Sequence, residues 1–266
     1  MKFDTLKERM LYYKGLSDYR LLPNGYVIVQ IDGRSFSTKI KKKFKRPFDA
    51  TFISYMNQVA AYVCKEVQGC KFAYVQSDEI SFVLADFENP KTDSFYGYRL
   101  RKLQSIIASL ATAKFNQLMM LELVSTPCST EDLVEIVKDA TLYQFDCAAF
   151  NVPTYNDTIS WILYRQIDCI RNSKEGAAQT YVSHNKLYKK TSDEQIEILK
   201  DEQGIDWHEY NDGEKFGRFI WKEVEHHDDP SYGEYDRSIW RSHDAWNLTN
   251  EEGREKLKNL NLIPKQ

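Results

Sequence analysis

The chain predicts an α+β fold: a ferredoxin-like β-α-β-β-α-β palm domain, with helices on one face of an antiparallel sheet, plus a C-terminal α/β appendage. Three observations carry that expectation. Tyr26-Val-Ile-Val-Gln-Ile31 is nearly all apolar and rich in β-branched residues, as a strand buried on both faces must be. Two short apolar runs, 71–76 and 80–84, bracket Ser77-Asp-Glu79 as a hairpin. Stretches of helical periodicity stand on either side of that hairpin. Palm domains of many polymerases and nucleotide cyclases share this plan, but a fold alone assigns no chemistry.

The elements follow in order. Phe3, Leu6, Met10 and Tyr13 recur at helical spacing over 3–14. Pro23-Asn-Gly25 turns the chain into the first strand, which ends at Asp32-Gly33. A basic loop comes next and closes at Pro47. Asp49 is placed to cap a helix over 50–68, with Phe52, Met56, Val59, Ala60 and Val63 on one face and Gly69 as its stop. Beyond the hairpin a long helix covers about 95–122, with Leu103, Ile106, Ile107, Leu110 and Ala111 in register. Pro127 breaks the chain, a short helix covers 130–138, and a strand runs from Tyr143 to Val152. This gives a palm-like catalytic domain over 1–153 and an appendage over 154–266 packed on it. The appendage reads as a helix over 157–173, short helices within 175–199, a closing strand or hairpin at Phe216–Trp221, and a polar tail. Trp240 and Trp246 in that tail are expected to anchor it to the core.

With 266 residues the chain can bury a core without covalent staples. Its formal net charge is −3, so bulk charge does not draw it to nucleic acid. Two local basic runs remain: Lys39-Ile-Lys-Lys-Lys-Phe-Lys-Arg46 and Arg99-Leu-Arg-Lys102. Taken alone, such runs are usually solvated surface. Five Cys, at 64, 70, 128, 147 and 169, form no CxxC and several sit in apolar stretches, which predicts buried reduced thiols. Charges run through the first nine residues, and the longest apolar runs fall far short of a membrane span. A cytoplasmic protein without a membrane partner is expected.

The chemistry gathers at two strand ends. In a split β-α-β sheet the first and third strands are central neighbours, so Asp32 and Asp78 can lie side by side. Two converging carboxylates suit a hard divalent ion, and a triphosphate would supply further oxygens for a pair of ions. Gly33 permits close backbone approach, and Arg34-Ser-Phe-Ser37 is a candidate backbone nest for anions. Arg46 is placed to clamp a phosphate, and Glu79 to bind metal or orient a water. An Asp-Gly after a strand, met alone, is usually only a turn; the pair on neighbouring strands is the informative feature. His226-His227-Asp228-Asp229 looks like a metal cluster, but adjacent side chains point apart and chelate poorly.

Ile31-Asp-Gly-Arg-Ser-Phe36 and Tyr74-Val-Gln-Ser-Asp-Glu-Ile-Ser-Phe82 resemble the two signature motifs of the tRNA-His guanylyltransferase family, which includes the guanylyltransferase-like 3′-to-5′ polymerases. Lys45-Arg-Pro-Phe-Asp49, Phe145-Asp146 and Arg165-Gln-Ile-Asp-Cys169 resemble further family blocks, and the likeness covers about 5–225. The resemblance implies that Asp32, the Gly33 carbonyl and Asp78 bind two Mg2+ ions, with Glu79 as the acidic neighbour. It implies that Gly33, Arg34, Ser35, Phe36, Ser37, Arg46, Asp49 and Ser77 hold a nucleoside triphosphate. Arg46 stands where the family more often has Lys, which keeps the charge and changes its shape. Lys45, Arg99 and Lys102 would handle a second triphosphate or the tRNA 5′ end. The substrates implied are ATP, GTP and tRNA: ATP activates a 5′-monophosphate, and the 3′-hydroxyl of an incoming nucleotide, commonly GTP, attacks the activated end. Homo-oligomers, dimers or tetramers, are implied as well.

The sequence departs from the family in two places. Members that add one guanylate to tRNA-His carry His-Ile-Asn-Asn after an Asp-Cys, whereas Asp168-Cys169 here precedes Ile170-Arg-Asn-Ser173. A Gly-x-Arg-like continuation after Phe145-Asp146 is replaced by Cys147-Ala-Ala149. Both departures favour templated repair of 5′-truncated tRNA over strict tRNA-His guanylylation, the alternative. A cyclic-dinucleotide cyclase, on the same palm, would need a double glycine that Ser77-Asp-Glu-Ile80 lacks. A non-catalytic RNA-binding module would expose aromatic residues from its central strands.

Overall fold

A computed structural model describes residues 3–40, 43–89, 91–125, 129–229 and 233–265; Lys41, Lys42, Pro127 and Cys128 lie outside the described residues. The elements are α1 (Leu6–Gly15), β1 (Tyr26–Gly33), α2 (Phe36–Lys39), α3 (Ala50–Glu66), β2 (Cys70–Gln76), β3 (Glu79–Ala85), α4 (Leu100–Val124), α5 (Thr130–Lys138), β4 (Phe145–Val152), α6 (Tyr155–Tyr181), α7 (His184–Leu187), α8 (Ser192–Gln203), α9 (Asp212–Phe216), β5 (Arg218–Asp229), β6 (Gly233–Asp244) and α10 (Glu251–Asn259). The strands form one antiparallel sheet in the order β4-β1-β3-β2-β5-β6.

Period-two alternation divides this sheet between two cores. Val27, Val29 and Ile31 of β1 join Ile80, Phe82 and Leu84 of β3 beneath α3 and α4. Tyr26, Ile28, Phe72, Tyr74 and Val83 point the other way, against α6 and α10. Both faces are therefore dry, which is why β1 reads as an unbroken apolar run. Asp49 caps α3 as its position predicts: its Oδ1 accepts the N–H groups of Thr51 and Phe52, each at 2.9 Å.

Several expectations need correction. The helices expected on one face are α3 and α4, but α6 and α10 cover the opposite face as well. Nothing stops α6 at Ser173. It continues for 27 residues to Tyr181, because Ala177 and Ala178 pack with Val182, Leu187, Leu199 and Trp207 in a third cluster. The polar tail is in large part a strand: β5 and β6 pair over twelve residues each and extend the main sheet through β2. Their outer half is exposed and charge-rich, with Arg241 paired to Glu223 and Glu225 across the hairpin, so no apolar alternation marks it. The tryptophans behave as expected. Trp240 packs against the first core, and Trp246 packs on the second while its indole N–H donates to the Gly253 carbonyl. The first helix forms, closed by a Thr5–Glu8 capping box, but none of its residues is buried within this chain.

Candidate active site at the acidic edge of the sheet

The register of the sheet assembles the site. Asp32 of β1 lies opposite Asp146 of β4, and Ile31 pairs with Ile80, which sets Asp32 beside Glu79. Cross-strand partners share a face, so Asp32, Glu79 and Asp146 all point toward α6. Asp78 enters from the β2–β3 turn, where Ser77 takes a left-handed φ of 45° and donates its hydroxyl to Asp78 Oδ1 at 2.9 Å. Gly33 has a steric reason. A Cβ there would lie 2.5 Å from the Phe36 ring and 2.8 Å from Asp78 Oδ2, so a side chain would push the two motifs apart.

Burial together with the neighbouring charges of Asp78, Glu79 and Asp146 lifts Asp32 to about 6. Burial also raises Asp78, opposed by its hydrogen bond from Ser77. A cation bound between carboxylates this close would favour their ionised forms. The donors, two carboxylates and a backbone carbonyl, are hard oxygens, which fits Mg2+. Among the described residues no three His, Cys, Asp or Glu side chains form a ready cage.

Glu79 does not point at a free ligand. Arg165 of α6 grips it through two hydrogen bonds of 2.6 Å, both side chains being about 11% exposed, and Gln76 donates to the same carboxylate. Arg165 also reaches Asp168 at 3.0 Å, which in turn pairs with Arg171. Glu79, expected to bind metal or orient a water, is thus held by Arg165 as a link between sheet and helix at the edge of the cleft.

A cleft of about 590 Å³ opens over this edge. It brings together Asp32, Ser77, Asp78 and Glu79 with Ser37, Lys45, Arg46 and Asp49 from the loop and cap opposite. Others are placed differently. The Arg34 N–H donates to the Gln144 carbonyl at 2.9 Å and its guanidinium to the Gln144 side chain, so it is not part of an open nest. Ser35 takes a left-handed φ of 60° before α2. The Phe36 side chain is core, packed on Phe52, Phe115, Tyr143 and Phe145. Asp49 has both oxygens engaged, since Lys45 N–H donates to Oδ2 at 2.9 Å. Burial would raise it, but the N–H donors of Lys45, Phe52 and Thr51 prevail and hold it below the usual range. Arg99 pairs with Asp18 at 2.8 Å, and Lys102 lies over Tyr96. They sit away from the cleft: Thr112, whose hydroxyl accepts from Phe145 N–H opposite Gly33, lies about ten to thirteen residues further along α4, roughly 15–20 Å away.

Sequence reasoning left Asp146, Arg165, Asp168 and Arg218 without roles, and the first borders the site while the others line the cleft. Arg165 alone leaves a local trace, a charge on the buried stripe that carries Ile159, Ile162, Gln166 and Cys169. The histidine pair stays outside any site: His226 pairs with Asp236 and His227 with Glu225 in β5. Cys64, Cys70 and Cys169 are buried free thiols and Cys147 is half-buried.

An antiparallel sheet with an acidic edge facing a basic loop is the arrangement of a nucleotidyltransferase, and comparison with known proteins gives the same class. The family described as tRNAHis guanylyltransferase matches residues 7–153, and the chain belongs to it. It is 26% identical over 232 residues to the tRNA(His) guanylyltransferase of Debaryomyces hansenii, covering 83% of this chain and 82% of that protein. Identity to tRNA(His) guanylyltransferase 1 of Arabidopsis thaliana is 31% over 186 residues, 65% of this chain but only 31% of the longer relative. A bacterial tRNA(His) guanylyltransferase-like protein solved in complex with ATP superposes with a TM-score of 0.79 at 28% identity, covering 96% of this chain and 98% of that one. No helix among the described residues is long and apolar enough to cross a membrane.

Proposed function

We propose that this protein adds nucleotides in the 3′-to-5′ direction to the 5′ end of tRNA, on a ferredoxin-like palm spanning 1–153 with 154–266 as its appendage. The observation that carries the reading is the meeting of Asp32 and Asp78 across the Gly33 backbone, beneath Lys45 and Arg46. Two Mg2+ ions held by Asp32, the Gly33 carbonyl and Asp78 would activate the attacking hydroxyl and neutralise the leaving phosphate. The protein's own part is positioning and charge balance. Lys45 and Arg46 hold phosphate oxygens across the cleft, Ser77 fixes the Asp78 carboxylate, and Arg165 cancels Glu79. GTP and ATP are the substrates of this reading; the solved bacterial relatives are complexes with ATP and with GTP.

The preferred substrate is a 5′-truncated tRNA, repaired against its template. Supporting this, Asn172 and Ser173, in the block that departs from the His-Ile-Asn-Asn pattern, line the cleft. In the other departure, Ala149 stands where the Gly-x-Arg-like continuation would carry its basic residue, and it is a buried apolar side chain of β4. The protein acts in the cytoplasm as a dimer or tetramer, consistent with its free thiols and with a first helix that leaves Leu6 73% exposed.

The test incubates the protein with Mg2+, ATP and GTP and either a 5′-truncated tRNA or full-length tRNA-His. Extension of the truncated tRNA is expected; a single guanylate on tRNA-His alone would instead favour strict guanylylation. Asp78→Ala abolishes addition while tRNA binding, measured by gel shift, persists. Continued addition by an Asp32→Ala, Asp78→Ala double variant would sink the two-metal reading.

A further inference from the structure

Arg218 opens β5 opposite Val75 of β2, on the same sheet edge as Asp32 and Asp78. Three strand spacings separate β5 from β1, so its backbone stands about 14 Å along that edge from Asp32. Its side chain is only 12% exposed. Among the described residues it has one ionic neighbour, Asp244, whose Oδ1 is 3.6 Å from Nε, beyond hydrogen-bond reach. Asp244 itself is more than half exposed. Glu214, also nearby, is engaged in capping α9 through the Asn211 N–H. Among the described residues its guanidinium has no hydrogen-bond partner in the protein and opens onto the clefts it lines, which leaves its donors free for an anion.

Its surroundings point the same way. Arg218 lines the catalytic cleft and also a second groove of about 380 Å³ between α3 and the β5–β6 hairpin, so it marks their junction. That groove also holds half-buried Trp240 and Asn57, whose buried Oδ1 has no hydrogen-bond partner; as an acceptor it suits a donor group of a ligand rather than its phosphate. Gly213 packs against the Arg218–Asp244 pair: a Cβ there would collide with the Asp244 carboxylate and lie 3.0 Å from Arg218 Nη2.

We propose that Arg218 is a phosphate-binding residue at the mouth of this groove, receiving a phosphate of the bound substrate away from the reacting one. The inference deepens the nucleotidyl-transfer reading and depends on it. The phosphate belongs either to a nucleoside triphosphate or to the RNA strand led out along α3, and both would be held by the same forked contact.

Arg218→Gln keeps length and polarity and removes the charge. Binding of GTP and of a 5′-truncated tRNA is measured for the wild type, Arg218→Gln and Asp244→Asn, across a salt series, with melting curves for all three. For an RNA phosphate, Arg218→Gln weakens tRNA binding roughly tenfold, the worth of one charge-assisted hydrogen-bond pair, and lowers the salt slope by about one. For a triphosphate, GTP affinity falls instead and tRNA affinity holds. Asp244→Asn separates both from a structural role: it leaves binding intact or tightens it, whereas a merely structural ion pair would make the two variants alike. Unchanged affinities and slopes in a folded Arg218→Gln protein, or matching losses in both variants, overturn the inference alone. A wild type that binds neither ligand overturns the functional reading, and the inference with it.

Discussion

Asp32 is partly desolvated and stands beside the like charges of Asp78, Glu79 and Asp146, and folding therefore works against its charge. Its folded pKa, about 6, lies above the ordinary 3.8, so between those values the folded chain binds a proton that the unfolded chain has lost. The contribution to stability is fully present below about 4 and is lost as pH rises through 6. Asp32→Asn should raise the Tm at pH 7.5 in EDTA, with the gain shrinking toward pH 4, and Mg2+ should stabilise the wild type more than the variant. Parallel Tm curves for the two proteins would show that Asp32 carries no such strain. Asp32 and Asp78 are legible in the sequence because each closes an apolar strand, where a carboxylate has no packing purpose. Asp146 is not legible, since its place beside Asp32 depends on the β1–β4 register, which no local pattern encodes. Asp49 is legible as a cap: both oxygens of the carboxylate that caps α3 accept backbone N–H groups.

Between elements, the Arg165–Glu79 pair ties α6 to β3 directly beneath the carboxylate edge. Removing the cation alone strands a buried carboxylate among other negative charges, which costs about 3–5 kcal/mol, whereas replacing both partners with neutral groups costs far less. Arg165→Met should accordingly lower the urea midpoint sharply at unchanged m, and the Glu79→Gln, Arg165→Met double variant should recover most of it. If the double variant were as unstable as the single, the pair would not be an isolated ionic unit. The length of α6 illustrates what local pattern misses. No proline or cap stands between Ser173 and Tyr181, and the polar letters there conceal Ala177 and Ala178, buried only because α8 folds back over them. The β5–β6 hairpin is missed for the converse reason. Much of it faces solvent on both sides and is joined by charged cross-strand pairs, so the usual alternation is absent.

Across the whole molecule, the sheet has two dry faces, and their covers come from different parts of the chain. Residues before 154 supply α3 and α4 for one face; α6 and α10, beyond it, cover the other. Tyr26, Ile28, Phe72, Tyr74, Val83 and Ala85 would lose that cover in a 1–153 fragment. At about 1.5–3 kcal/mol for each fully buried large side chain, the loss is on the order of 10 kcal/mol, comparable with the entire net stability of a domain. The fragment would also lose Arg165, leaving Glu79 unpaired, and would expose β2 as a bare edge beside an apolar face. Asp32 and Asp78 of the candidate site therefore lie within 1–153, while much of the packing beneath them comes from beyond it. Expressed alone, 1–153 should aggregate, or bind a hydrophobic dye and lack a cooperative melting transition, whereas the full chain melts in one step. A soluble, cooperatively melting 1–153 fragment would show that the face turned toward α6 tolerates water and that the two-sided core overstates what the appendage contributes.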